Sequence, residues 1–123
     1  MALDANEDTD KIFTIGSHHY DVNVVFTCQN LFTNSKYFRD ITLNATYQVL
    51  FKNPRDKSTI VNFGKQFAPG RSRDLATLFR PATAKPHSYL FMDYHQETGE
   101  GDRIQANVLF ENNDPISIYR MKE

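Results

Sequence analysis

The sequence predicts an α/β fold with a mixed sheet, parallel strands at one side and an antiparallel hairpin at the C-terminal side. Three observations carry this expectation. Two short apolar runs, Val22-Asn23-Val24-Val25-Phe26-Thr27 and Tyr47-Gln48-Val49-Leu50-Phe51, read as strands covered on both faces, as parallel strands are. Two helical patterns follow the second run. A third apolar run, residues 89–94, precedes a polar, glycine-bearing turn and an alternating strand, the pattern of a hairpin.

The elements follow in order. Residues 4–10 are polar and acidic, and Ile12, Phe13 and Ile15 then give a short apolar face that Gly16 can end as a helix. The first strand stops abruptly at Cys28-Gln29-Asn30. Residues 31–44 mix polar and apolar positions, with Tyr37, Phe38, Ile41 and Leu43 available for packing, so a loop with a short helical turn is expected. Asn53-Pro54 stops the second strand. Asp56 can cap a helix carrying Ile60, Phe63, Gly64 and Phe67 at helical spacing. Pro69-Gly70 ends that helix, and Ser72 can cap the next, which carries Leu75, Leu78 and Phe79 and ends or bends at Pro81. Residues 97–102 form the turn. Ile104, Ala106, Val108 and Phe110 alternate after it, and residues 116–121 suit a short edge strand.

The 123 residues suffice for one domain, divided here into an acidic segment, 1–11, and an α/β domain, 12–123. An apolar share of 40% with 13% aromatics supports a packed core and excludes a disordered tail. Lys plus Arg number 14 against 15 Asp plus Glu, which argues against a broad basic face that coats nucleic acid. One cysteine, Cys28, excludes an intrachain disulfide framework. The start of the chain is not apolar, and no run reaches the ~20 residues that span a bilayer. A soluble intracellular protein is therefore expected.

Four features suggest chemistry. Gln29-Asn30 closes an apolar strand, the place where open α/β sheets bind ligands, and a glutamine there can orient a water or contact a phosphate; the same residues suit a solvated strand end. Lys52 and Arg55 flank a sharp turn from strand to helix and can meet a phosphate, while a solvated turn capped by Asp56 explains them equally. Arg71, Arg73 and Arg80, with Lys65 and Lys85, can touch DNA phosphates or form an ordinary charged helix surface. Ser17-His18-His19 offers two imidazoles that point apart, and the spacing to Cys28, His87 or His95 matches no zinc pattern, so no metal is expected. No Gly-x-x-x-x-Gly-Lys-Ser/Thr occurs, and no apolar strand ends in paired carboxylates.

Several stretches together resemble one family: Ile12-Phe13-Thr14-Ile15-Gly16-Ser17-His18-His19, the run 22–26, Gln29-Asn30-Leu31-Phe32, Leu43-Asn44-Ala45-Thr46-Tyr47, Leu50-Phe51-Lys52-Asn53-Pro54-Arg55-Asp56, Pro86-His87-Ser88-Tyr89-Leu90 and Asp93. They are similar to the C-terminal half of the DNA-packaging ATPases of Polinton/Maverick elements and related large DNA viruses, in the FtsK/HerA class of P-loop ATPases. The likeness covers residues 12–110. It implies a partial P-loop NTPase-like sheet and, in the full-length family, ATP, Mg²⁺, double-stranded DNA and neighbouring ring subunits as cofactors and partners. It makes Gln29 a sensor of the attacking water or γ-phosphate, supported by Asn30. It makes Arg55, or Arg39, a charge stabiliser at a subunit boundary. Lys52, Arg71 and Arg73 would face DNA or a neighbour. The phosphate loop and the Mg²⁺-binding carboxylates of the family have no counterpart here, so the chain alone is expected to bind ATP poorly and not to hydrolyse it. Two other readings compete: a binding module that keeps only a DNA or protein contact, and a small enzyme using Cys28 with a histidine.

Overall fold

A computed structural model describes residues 6–16, 19–29, 36–109 and 114–122. The chain separates into two compact units, residues 1–45 and residues 46–123.

In the first unit, helix α1 (Glu7–Lys11) begins where the Asn6 carboxamide accepts from the Thr9 backbone N–H at 3.0 Å. A Lys11–Glu7 ion pair of 2.7 Å spans its single exposed turn. The helix widens into a π-helical turn, Ile12–Gly16, where the Thr14 hydroxyl donates to the Asp10 carbonyl. Helix α2 (Lys36–Asn44) buries Phe38 and Ile41, and the Phe26 ring meets Phe38 edge-on at 5.9 Å.

The second unit is built on a four-stranded sheet in the order β1 (Tyr47–Phe51), β2 (Tyr89–Asp93), β3 (Ile104–Ala106), β4 (Ser117–Tyr119). Helices α3 (Ser58–Phe67) and α4 (Ser72–Ala82) lie between β1 and β2 in sequence and pack on each other. The turn between them is made by Pro69 and by Gly70, whose φ of +84° is a conformation glycine takes without strain. Leu50, Leu90, Met92, Ile104 and Ala106 point to one face of the sheet and are buried; Phe63 of α3 and Leu75 and Ala82 of α4 complete the core. Tyr94 follows β2 and is largely buried. Its hydroxyl donates to Gln48 Oε1 at 3.2 Å, its ring meets Phe67 edge-on at 5.9 Å, and burial raises its pKa. The Gln48 carboxamide is thereby a satisfied polar group on the core face.

Among the described residues no strands pair in parallel, contrary to expectation: the three pairings, β1 with β2, β2 with β3 and β3 with β4, are antiparallel. The sheet is therefore not the P-loop NTPase-like sheet that the resemblance implies. The reason lies in the connection. A single crossover helix carries the chain back to the opposite end of a sheet, so the next strand runs parallel. Here two helices form a hairpin, out and back, and return the chain to the end it left. Phe51, the last residue of β1, faces Tyr89, the first of β2.

A second correction concerns residues 22–27, expected to form a strand covered on both faces. They carry no strand assignment, and Val25 is 87% exposed. Helices form at 58–67 and 72–82 as expected, although Ser72 is the first helical residue of the second and not its cap. Residues 89–93 pair with the strand expected after the turn, but that strand covers only Ile104–Ala106 and stops before Val108. The expected edge strand at 116–121 covers only Ser117–Tyr119. The segment expected to be mostly loop contains a nine-residue helix, α2. Phe110 lies outside the described residues.

Candidate functional site

The turn that links β1 to α3 carries Lys52 and Arg55, both exposed. Proline at position 54 ends the strand, and the Asn53 carboxamide oxygen accepts from the Arg55 backbone N–H at 3.0 Å, an Asx turn. Asp56 then caps α3 from one residue before the cap position. Its Oδ1 accepts from the backbone N–H groups of Ser58 and Thr59 at 2.9 and 3.2 Å and from the Ser58 hydroxyl at 2.6 Å, while Oδ2 accepts from the Thr59 hydroxyl. These donors, led by the Ser58 and Thr59 hydroxyls, stabilise the charged carboxylate and hold its pKa down at about 2.

The capping role decides what Arg55 does. With Asp56 turned into the helix, Lys52, Arg55 and Lys57 are exposed, and none makes an ion pair among the described residues. The turn thus presents three free cations at the end of β1 where β2 begins.

The remaining expected residues are placed differently. Gln29 is exposed on an irregular segment of the first unit, not at the end of a strand, and Asn30 lies outside the described residues. Arg39 is exposed on α2. Arg71 is tied down: its Nε donates to Asp74 Oδ2 at 3.0 Å and its Nη2 to the Lys122 carbonyl. Arg73 and Arg80 are exposed on α4 without ion pairs among the described residues, and Lys85 pairs with Asp114 at 2.8 Å. The lone strand carboxylate, Asp93, organises the turn after β2, accepting from the His95 N–H at 2.8 Å and the Thr98 hydroxyl at 2.9 Å. Cys28 is an exposed residue, yet partial desolvation of its sulfur raises the thiol pKa, the opposite of what a nucleophile needs at neutral pH. Among the described residues no group of three His, Cys, Asp or Glu side chains is placed to hold a metal ion, and no helix is long and apolar enough to cross a membrane. An open apolar pocket of about 460 Å³ in the first unit, lined by Ile12, Ile15, Tyr20, Val22 and Val24 beside Lys11, offers almost no polar anchor.

One surface escapes sequence reading. The face of the sheet opposite the helices carries Tyr47, Val49 and Phe51, which are 53%, 45% and 61% exposed, with Tyr89 and Phe91 beside them and Ile118 farther along. Tyr47 and Phe91 lie 5.5 Å apart, centroid to centroid, and Phe51 and Tyr89 lie 5.7 Å apart. Both faces of β1 carry apolar residues, so alternation gives no signal of which one is covered.

Comparison of the chain with protein-family models, with curated proteins and with solved structures gives no match.

The Asp56 geometry sets an acid response. The folded pKa, about 2, lies below the ordinary 3.8, so the unfolded chain takes up a proton first as pH falls. The contribution of this carboxylate is fully present above about 3.8 and lost progressively as pH drops to about 2. Asp56→Asn keeps a capping oxygen without the charge. Its thermal midpoint is expected to lie below wild type at neutral pH, and the gap should close across that acid window. A gap that does not change with pH would assign the effect to something other than the charge.

Proposed function

We infer that the chain serves as the C-terminal, non-hydrolysing portion of an ATP-driven DNA translocase, lending an arginine to nucleotide held by a neighbouring subunit. The observation that carries this reading is the exposed Arg55, without an ion pair among the described residues and held on an Asx turn beside an aspartate committed to a helix cap. An arginine paired with its neighbouring carboxylate would have little charge to lend; this one has its charge available. The resemblance through Leu50-Phe51-Lys52-Asn53-Pro54-Arg55-Asp56 supports the same role. ATP and Mg²⁺ would sit on the neighbour, double-stranded DNA would be the cargo, and the setting would be the cytoplasm or nucleus of an infected or element-bearing cell. The reading needs no phosphate-binding loop or parallel sheet in this chain. It gives the leading role to Arg55, because Gln29 lacks the strand end that a sensor requires.

The test is complementation in trans. A ring ATPase subunit of the FtsK/HerA class that keeps its phosphate loop but has alanine for its own boundary arginine is mixed with this chain. ATP turnover is expected to rise by about a thousandfold or more with the wild-type chain, and not with Arg55→Ala or Arg55→Lys. Because Arg55 is exposed, the alanine variant should keep its stability within about 0.5 kcal/mol, so lost stimulation would not reflect unfolding. No stimulation, or equal stimulation by both variants, overturns the reading.

The open aromatic face favours a second reading, a binding module without any part in hydrolysis.

A further inference from the structure

The exposed sheet face combines two chemistries. Tyr47 with Phe91 and Phe51 with Tyr89 form two ring pairs, with Val49 between them on β1. At the Phe51–Tyr89 end the chain continues into Lys52, Arg55 and Lys57, all exposed and without ion pairs among the described residues. Among the described residues, the carboxylates near that end are occupied: Asp56 caps α3, and Asp114 pairs with Lys85. Asp93, at the far end of the same face, spends both oxygens on its own turn. The aromatic face therefore grades into a positive rim, although the whole chain carries a net charge of -1.

Size discriminates among occupants. Four strands spaced ~4.8 Å apart, each residue rising ~3.3 Å, make a face of about 300 Å² at most. A protein partner of ordinary size covers ~800 Å² of accessible surface on each side and would have to reach beyond this flat footprint. A flexible strand of nucleotides needs far less: each base covers one ring, and its phosphate reaches a nearby cation. A duplex hides its base faces and could use only the cations.

We propose that the open face of the β1-β2-β3-β4 sheet binds single-stranded nucleic acid, with bases stacked on Tyr47 and Phe51 and phosphates held by Lys52 and Lys57. The binding-module reading gains a ligand class from this. The arginine-lending role of Arg55 is separate, and neither depends on the other.

The test is fluorescence anisotropy of the whole chain with labelled oligothymidylate, oligouridylate and a DNA duplex of equal length. Both single strands are expected to bind more tightly than the duplex, with quenching of tyrosine emission; a preference between them identifies DNA or RNA as the source. Phe51→Ala and Tyr47→Ala should each weaken binding by about 5- to 100-fold. Lys52→Ala should reduce the slope of log affinity against log salt by about 0.7. Circular dichroism should show all three variants folded, since each site is exposed. Three results overturn the proposal: no single-strand binding, duplex binding as tight as single-strand binding, or binding indifferent to both ring substitutions. Concentration-dependent self-association without oligonucleotide binding would instead make a second copy the occupant. Loss of trans complementation with single-strand binding intact would remove the ATPase reading and leave this one standing.

Discussion

Replacing Gly64 with alanine is expected to destabilise residues 46–123, although alanine is the better helix former. A Cβ at position 64 would lie 2.8 Å from Ser72 Cα, 3.0 Å from Ser72 Cβ and 3.1 Å from the Ser72 carbonyl oxygen. The nearest of these is backbone at the first residue of α4, so no side-chain rotation relieves the contact. Helix propensity favours alanine over glycine by ~1 kcal/mol. Overpacking of this kind costs ~1–3 kcal/mol, and where backbone meets backbone the upper part of that range applies. The net expectation is a loss of ~1–2 kcal/mol for alanine and more for leucine. Urea titration followed by helical dichroism reads it as a lower midpoint with an unchanged slope. A raised midpoint for Gly64→Ala would show that α3 and α4 separate easily, contrary to the tight approach described.

The larger effect is expected at Leu90. It is fully buried on β2, between β1 and β3 and on the face toward the helices. Leu90→Ala removes apolar volume from the centre of a small core and leaves a cavity, at ~2–5 kcal/mol. A domain of this size loses ~4–8 °C in Tm for each kcal/mol, so thermal melting should drop by tens of degrees. Val49→Ala, one strand away on the open face, is the internal control and should change stability by less than ~0.5 kcal/mol. Equal effects at the two positions would mean that the open face is covered in solution.

The same positions show what could be read from sequence. The helix at 58–67 was legible because Asp56, the apolar spacing and Pro69-Gly70 all agree on it, and the 72–82 helix for similar reasons. Strand direction was not read correctly. Tyr47-Gln48-Val49-Leu50-Phe51 looks covered on both faces, but its apolar residues serve two purposes: Leu50 enters the core, and the aromatic positions stay outside. The count of helices between β1 and β2 held the correct answer, because a helical hairpin returns to its starting end. Residues 22–27 misled for a different reason. β-branched composition reports what fits a pleated surface, and no neighbouring strand supplies that surface among the described residues. At the candidate site, the turn and its cap were readable from Asn53, Pro54 and Asp56. The freedom of Arg55 follows from where Asp56 points, which local sequence leaves open. The ring pairs depend on strand register across residues far apart in the chain, so no local pattern contains them.

The outer position of β1 carries a consequence for handling the protein. One side of this strand has no partner within its sheet, and its five residues, Tyr47-Gln48-Val49-Leu50-Phe51, include no charge, glycine or proline. Such segments are competent to stack into cross-β fibrils when their edges meet. What stands against that is at the segment's end: Lys52 repels a stacked copy of itself, and Pro54 cannot extend the ladder. A candidate phosphate contact, Lys52, and the proline that stops the strand, Pro54, thus also act as gatekeepers, and solubility at high concentration leans on them.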